Sequence, residues 1–258
     1  MHTHTQEQPT LIDPRFVGMP DIAHGGYISG LLGGAFGGHT AEVRLKRPVP
    51  PGRHLELRRA DGELVELRHG DTLLAEATPA QLDLDVPAPI SLAEAEAAAR
   101  RFPGFHHHLF PGCLVCGPER AVGDGLRIFP GPVAGRRLVA APWVPSADDT
   151  GQVPGELVWA ALDCPQLWSL MVHVPASTPD LVVTAAMATR MGQPVVAGEP
   201  HVVIGWPIGR EGRKWHAGAA IFGPHGELCA VGRQTAAVVA GWGIPLGRDR
   251  WGAEVAAA

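Results

Sequence analysis

Arg44-Leu-Lys-Arg-Pro48-Val-Pro-Pro-Gly52-Arg-His-Leu55 and Arg190-Met-Gly-Gln-Pro194-Val-Val-Ala-Gly198-Glu-Pro-His-Val202 are the two stretches on which the fold turns. Each holds Pro-Val, with Arg four positions before the Pro and Gly four positions after it. Self-similarity at this distance is the signature of a duplicated unit. Two more strand-like runs follow each copy. In the first they are Glu63–Arg68 and Thr72–Thr78. In the second they are Trp215–Phe222 and Leu228–Val239, separated by the turn Pro224-His-Gly226. Val, Ile and Thr between Gly, Pro and Asp punctuation predict strands and hairpins.

An apolar helix precedes each strand set, over 26–36 in the first copy and 155–164 in the second. Apolar residues cover most of each, so both are expected to be buried on most sides. The first carries Gly26, Gly30, Gly34 and Gly38 at four-residue spacing. Each Gly costs about 1 kcal/mol of helix stability relative to Ala, but a Gly stripe admits another backbone very closely. A curved sheet hugging a buried helix accounts for it; a loose Gly-rich loop is the alternative. Between the copies, Ser91 and Glu94 form a capping box ahead of an Ala-rich run that Pro103-Gly104 stops. This predicts a connector, 87–108, with a helix over 91–102. The units are then 10–86 and 109–240, followed by an irregular tail, 241–258. The fold class is α+β, with an antiparallel sheet wrapped around a central helix occurring twice.

Composition narrows the function. A net charge of −5 opposes nucleic-acid binding and gives no attraction to anionic membranes. Ile22–Ala41 has no Asp, Glu, Lys or Arg, but its seven Gly and two His argue against a spanning helix. Met1–Gln8 is polar and lacks the apolar centre of a secretory signal. A cytoplasmic protein with free thiols is expected.

The second half resembles hotdog thioesterases of the phenylacetate-pathway type, and the whole resembles a double hotdog with a pseudo-two-fold axis. The resemblance rests on Cys113-Leu-Val-Cys116-Gly117-Pro118, on Gly125-Leu126 entering a strand, and on an acid, Asp163, nine positions after Pro154. Such proteins carry His-Gly-Gly where this half has Pro154-Gly155-Glu156. The first half keeps that turn, His24-Gly25-Gly26, but has Gly33 nine positions after the His instead of an acid. Each half thus lacks a different piece. The resemblance implies acyl-thioester hydrolysis, on acyl-CoA or an acyl-carrier-protein thioester, at one asymmetric site. It implies catalytic roles for Asp163 (base or nucleophile), Gly25 and Gly26 (oxyanion hole) and His24 (orienting the turn or touching the acyl carbonyl). It implies substrate binding by Gly155, Glu156 and Trp159, and by Arg213 and Lys214 for CoA phosphates. Further assembly into a homo-oligomer is implied, and no cofactor or metal is expected.

Plainer readings stand beside these. Asp163, before Cys164-Pro165, suits an N-cap. His24 suits a hydrogen-bonding turn residue, and Arg213 and Lys214 suit a solvated hairpin. Cys113 and Cys116, with His106-His107-His108 upstream, suit a zinc site only if Cys164 or a His completes the set. A non-catalytic ligand-binding protein and an enoyl-thioester hydratase are the competing functions. The hydratase needs an Asp and a His together, and His173 is the His nearest Asp163 in sequence.

Overall fold

The strands that flank both Pro-Val segments join one sheet. The computed structural model describes residues 6–60, 63–148, 150–173 and 181–239; the expected irregular tail, 241–258, lies outside the described residues. The chain opens with β1 (Gln6–Leu11) and the short pair β2 (Val17–Met19) and β3 (Ile22–Ala23), then enters α1 (Gly25–Gly33). β4 (Ala41–Leu45), β5 (His54–Ala60), β6 (Leu64–His69) and β7 (Thr72–Pro79) follow. After α2 (Leu92–Ala99), β8 (Gly131–Pro132) and β9 (Val139–Trp143) lead to α3 (Gly155–His173). Then come β10 (Leu181–Met191), β11 (His201–Glu211), β12 (Lys214–Phe222) and β13 (Leu228–Val239).

Among the described residues, one 11-stranded sheet runs β1-β5-β6-β7-β4-β10-β13-β12-β11-β9-β8. Outward from the β4–β10 seam, one side reads β4, β7, β6, β5, β1 and the other β10, β13, β12, β11, β9. In both, the strand after the helix, β4 or β10, lies at the seam; β1 and β8 form the outer edges, and β2 and β3 pair apart from this sheet. The seam is antiparallel, from Ala41 opposite Thr189 to Arg44 opposite Ala186. The repeated glycines sit in equivalent loops. Gly52 and Gly198 have φ +68° and +79°, a left-handed conformation that strains any residue with a Cβ.

The glycine stripe on α1 faces the other helix rather than the sheet. A Cβ on Gly30 would lie 2.4 Å from Glu156 Cα, and one on Gly26 would lie 2.9 Å from Ala160 Cα. One on Gly33 would lie 2.5 Å from the Trp159 indole. Gly34 and Gly38, expected in the stripe, have nothing within 4 Å, because α1 ends at Gly33. Ile28 and Leu32 of α1 and Leu162 of α3 are at most 1% exposed and belong to one hydrophobic core. Burial of each stabilises the fold by roughly 1.5–3 kcal/mol.

Three further expectations change. α3 does not stop before Cys164-Pro165 but continues to His173 with Pro165 inside. The proline removes one helical hydrogen bond. β11 packs directly on this turn, where a Cβ on Gly205 would stand 2.2 Å from the Pro165 carbonyl oxygen. The connector helix is shorter than 91–102; its Ser91–Glu94 capping box is present, and Phe102 leaves the helix to pack edge-on against Trp168 at 4.6 Å. Gly125–Phe129 does not enter a strand. Leu126 and Ile128 donate to the Leu114 and Val115 carbonyls, while Arg127 at φ +53° breaks the extended path.

Candidate functional site

The site forms where the start of α1 meets the middle of α3. Phe16 accepts a hydrogen bond from the His24 N–H at 2.8 Å, which fixes the entry into α1. His24 is the N-cap, with Nδ1 accepting from the Tyr27 N–H at 3.4 Å. A helix N-terminus presents unsatisfied N–H groups and a partial positive charge. Here the Gly26 N–H donates to Asp163 Oδ2 at 2.7 Å. The acid of the second half and the turn of the first therefore meet in one hydrogen bond. Gly25, whose N–H is the first of the helix and has no intrahelical acceptor, faces the adjoining cavity.

Asp163 is 2% exposed and does not cap a turn, since it lies inside α3. Its Oδ1 accepts from the Thr184 hydroxyl at 2.7 Å and from the Gln234 side-chain amide. Gln234 Nε2 also donates to Thr184 Oγ1 at 2.9 Å. Thr184 comes from β10 and Gln234 from β13, so three elements hold one carboxylate. Neither residue was expected from the sequence. The available signal was slight: Thr184 is a lone polar side chain in the apolar run Leu181-Val-Val-Thr-Ala-Ala, while Gln234 sits between Arg233 and Thr235 with nothing to single it out.

Beside the acid lies a cluster of sulfur and nitrogen. Cys113 Sγ is 3.7 Å from Cys164 Sγ, and His24 Nε2 is 3.4 Å from Cys164 Sγ. Cys116 Sγ receives the Trp168 indole N–H at 3.4 Å and lies 3.2 Å from His108 Nε2. All four cysteines of the chain are free and buried. Hydrogen bonds from Cys116, Cys164 and His24 hold the Cys113 thiol well below its ordinary pKa. Burial pushes Cys116 well above it, and contact with Cys113 pushes Cys164 the same way. Burial opposes charge on His24, but Cys113 and then Asp163, 3.6 Å from Nδ1, outweigh it and raise its pKa.

A cavity of about 470 Å³ opens onto these groups. Its walls include Asp163, Thr184, Gly25, His24, Cys113, Cys116 and Cys164, and otherwise are mostly apolar, among them Ile28, Leu167, Trp168, Met171 and Val182. That size and lining suit a small-molecule tail. Lys46 and Arg47 also line it and are exposed, with Lys46 Nζ 2.7 Å from Glu76.

The residues expected to bind substrate lie elsewhere. Gly155, Glu156 and Trp159 form the start of α3 and pack on α1; Trp159 is 4% exposed, its ring filling the space beside Gly33. Arg213 and Lys214 form the β11–β12 turn, where Arg213 donates to the Val238 carbonyl at 3.1 Å. None of the five lines the cavity. His173 turns to the residue preceding β9 instead of to Asp163, its Nε2 lying 3.0 Å from the Leu138 carbonyl oxygen.

No family model and no curated protein matches the sequence. Solved structures match the fold. A TesB protein of Mycobacterium avium subspecies paratuberculosis superposes with a TM-score of 0.54 at 15% identity, over 90% of this chain and 93% of that one. An acyl-CoA thioesterase II, TesB2, of Mycobacterium marinum gives 0.50 at 15% identity, over 80% and 81%. A conserved Alicyclobacillus acidocaldarius protein of unknown function with a hotdog fold gives 0.53 at 8%, over 92% and 94%. The chain has the hotdog fold. No helix among the described residues is long and apolar enough to cross a membrane.

Proposed function

We propose that the protein hydrolyses acyl thioesters, with acyl-CoA as substrate class, at the single site built on Asp163. The reading takes the chain as two tandem hotdog modules, 10–86 and 109–240, whose seam holds the site. The observation that carries it is Asp163 bound by Gly26, Thr184 and Gln234 at the wall of an apolar cavity. A carboxylate has about four lone-pair sites, so three donors leave about one for a water. Asp163 takes a proton from that water as its oxygen attacks the thioester carbonyl carbon. The Gly25 N–H and the α1 N-terminus stabilise the oxyanion, and collapse expels the thiolate, which takes the proton. Thr184 and Gln234 are positioning residues.

The likeness of the fold to thioesterases supports this reading. The acyl chain occupies the apolar cavity, while Lys46 and Arg47 meet the phosphates of the CoA arm. The equivalent second site is blocked, because Trp159 fills the space beside Gly33. Four reduced thiols suit the cytoplasm.

A second reading, enoyl-thioester hydration, draws on His24 standing 3.6 Å from Asp163. A panel of saturated and enoyl-CoA thioesters separates the two. Thiol release supports hydrolysis, and loss of enoyl absorbance without thiol supports hydration. Acyl-CoA binding that raises the melting temperature with no turnover leaves a ligand-binding protein.

A further inference from the structure

The mechanism leaves three buried thiols and an imidazole unused, gathered from three separate parts of the chain. Cys113 and Cys116 come from the loop after the connector, Cys164 from α3, and His24 from the cap of α1. The ligand atoms of His24, Cys113 and Cys164 all lie within 4.8 Å of one another. Cys116, three residues after Cys113 in the same loop, lines the same cavity but stands just outside that 4.8 Å group.

We propose that His24, Cys113, Cys116 and Cys164 bind one zinc-class divalent cation in a closed tetrahedral site beside the Asp163 cavity. The spacing matches the ion. Zn–S bonds of about 2.3 Å and Zn–N bonds of about 2.0 Å set tetrahedral edges of about 3.8 Å between sulfurs and about 3.5 Å between sulfur and nitrogen. The Cys113–Cys164 and Cys164–His24 separations are 3.7 and 3.4 Å. A disulfide needs sulfurs at about 2.05 Å, so bonding Cys113 to Cys164 requires movement of both, whereas the ion requires only that Cys116 draw in toward the other three ligands.

The surroundings supply what a thiolate-rich site needs. His24 coordinates through Nε2, which places its remaining proton on Nδ1, 3.6 Å from Asp163 Oδ2, near enough to favour that tautomer but too far to take the carboxylate site left for water. The Tyr27 N–H contact to Nδ1, at 3.4 Å, is the one exchanged for it. Trp168 Nε1 donates to Cys116 Sγ from the outer shell, and His108 Nε2 faces the same sulfur. Around the loop, Gly117 has no room for a Cβ, which would lie 2.5 Å from the Pro111 carbonyl oxygen. Arg120 pins the loop by donating to the Gly112 and Arg15 carbonyls at 2.8 and 2.6 Å. With all four positions taken by protein, the ion is structural. It ties the Cys-X-X-Cys loop to both helices of the site and fixes the His24-Gly25-Gly26 turn against Asp163. The sequence reading expected no metal, because the resembling loop accounts for the Cys113–Cys116 spacing without one, although it left Cys164 or a His as able to complete the set.

The test uses the full chain without an affinity tag, purified under reducing conditions without chelator. Elemental mass spectrometry is expected to give about one zinc per chain. After removal of zinc under denaturing conditions and refolding with cobalt(II), the protein is expected to show sulfur-to-cobalt charge transfer and the intense visible bands of a tetrahedral thiolate site. Cys113→Ser and Cys164→Ser should each lose the metal, whereas Cys229→Ala, outside the cluster, should keep it. Should the serine variants fail to fold, the wild-type cobalt spectrum and a zinc-dependent melting temperature decide alone. Wild-type protein with less than about a tenth of an equivalent of zinc after loading, and no tetrahedral cobalt spectrum, overturns the proposal. So does a Cys113–Cys164 disulfide found by mass spectrometry in its place. Neither outcome depends on thioester turnover.

Discussion

Gly30→Ala tests the helix contact on which the site is built. The new Cβ would lie 2.4 Å from Glu156 Cα and 2.9 Å from Trp159 Cβ. Glu156 Cα is backbone, so no rotamer change relieves the clash, and α1 and α3 must separate by about 1 Å. Overpacking of this kind costs about 1–3 kcal/mol beyond any adjustment, and the strain here lies at the upper end. Alanine returns about 1 kcal/mol through helix propensity. A net loss of about 2 kcal/mol lowers the melting temperature by roughly 4–8 °C in a chain of this size. Gly34→Ala is the matched control. Its Cβ meets nothing within 4 Å and its φ is −58°, so it should leave stability unchanged or raise it by up to about 1 kcal/mol. Thermal unfolding followed by circular dichroism and calorimetry reads both. If Gly30→Ala melts at or above the wild-type temperature, the close helix approach is not what the glycines serve.

Thr184→Val removes a donor from Asp163 Oδ1 while keeping the shape of the side chain. It should lower kcat by roughly tenfold to a hundredfold with little change in KM, since about 1.4 kcal/mol is tenfold. Arg47→Ala should raise KM for acyl-CoA several-fold but leave an acyl-N-acetylcysteamine thioester, which lacks the phosphates, nearly unaffected; equal losses on both would remove Arg47 from the CoA site. His173 gives a pH effect. Burial, with Arg137 adding to it, depresses its pKa below the ordinary histidine value despite its contact with the Leu138 carbonyl. A depressed histidine pKa contributes stability that is fully present above about pH 6.5 and is lost as pH falls through the folded-state value. His173→Gln should therefore shallow the fall in melting temperature between about pH 7 and about pH 5, and an unchanged slope would contradict this.

The strands of the antiparallel sheet were legible because Gly, Pro and Asp punctuation brackets Val-, Ile- and Thr-rich runs. Arg44-to-Gly52 and Arg190-to-Gly198 need the same left-handed glycine after the same seam strand. The capping box of α2 was legible for the same local reason. The purpose of the α1 glycines was half legible. Their spacing shows that something approaches closely, but the partner, α3, lies more than a hundred residues away in sequence. The end of α3 was misread because Pro165 signals a stop locally, while packing against Gly205 carries the helix through it. Asp163 and the His24-Gly25-Gly26 turn were named from the resemblance, and the fold joins them by the Gly26–Asp163 hydrogen bond. Thr184 and Gln234 escaped notice because each is ordinary in its own strand and gains meaning only when β10 and β13 pair. Arg213 and Lys214 drew attention as a charged turn, but the cavity mouth carries Lys46 and Arg47 from the repeat itself.

Asp163→Asn is the most direct trial of the central claim, since it keeps the side-chain volume and removes the base. On the acyl-CoA that the wild type turns over best, kcat should fall by at least about a hundredfold, with the melting temperature showing that the variant is folded. Full hydrolysis by the folded variant would contradict the assignment of Asp163 as the group that activates water.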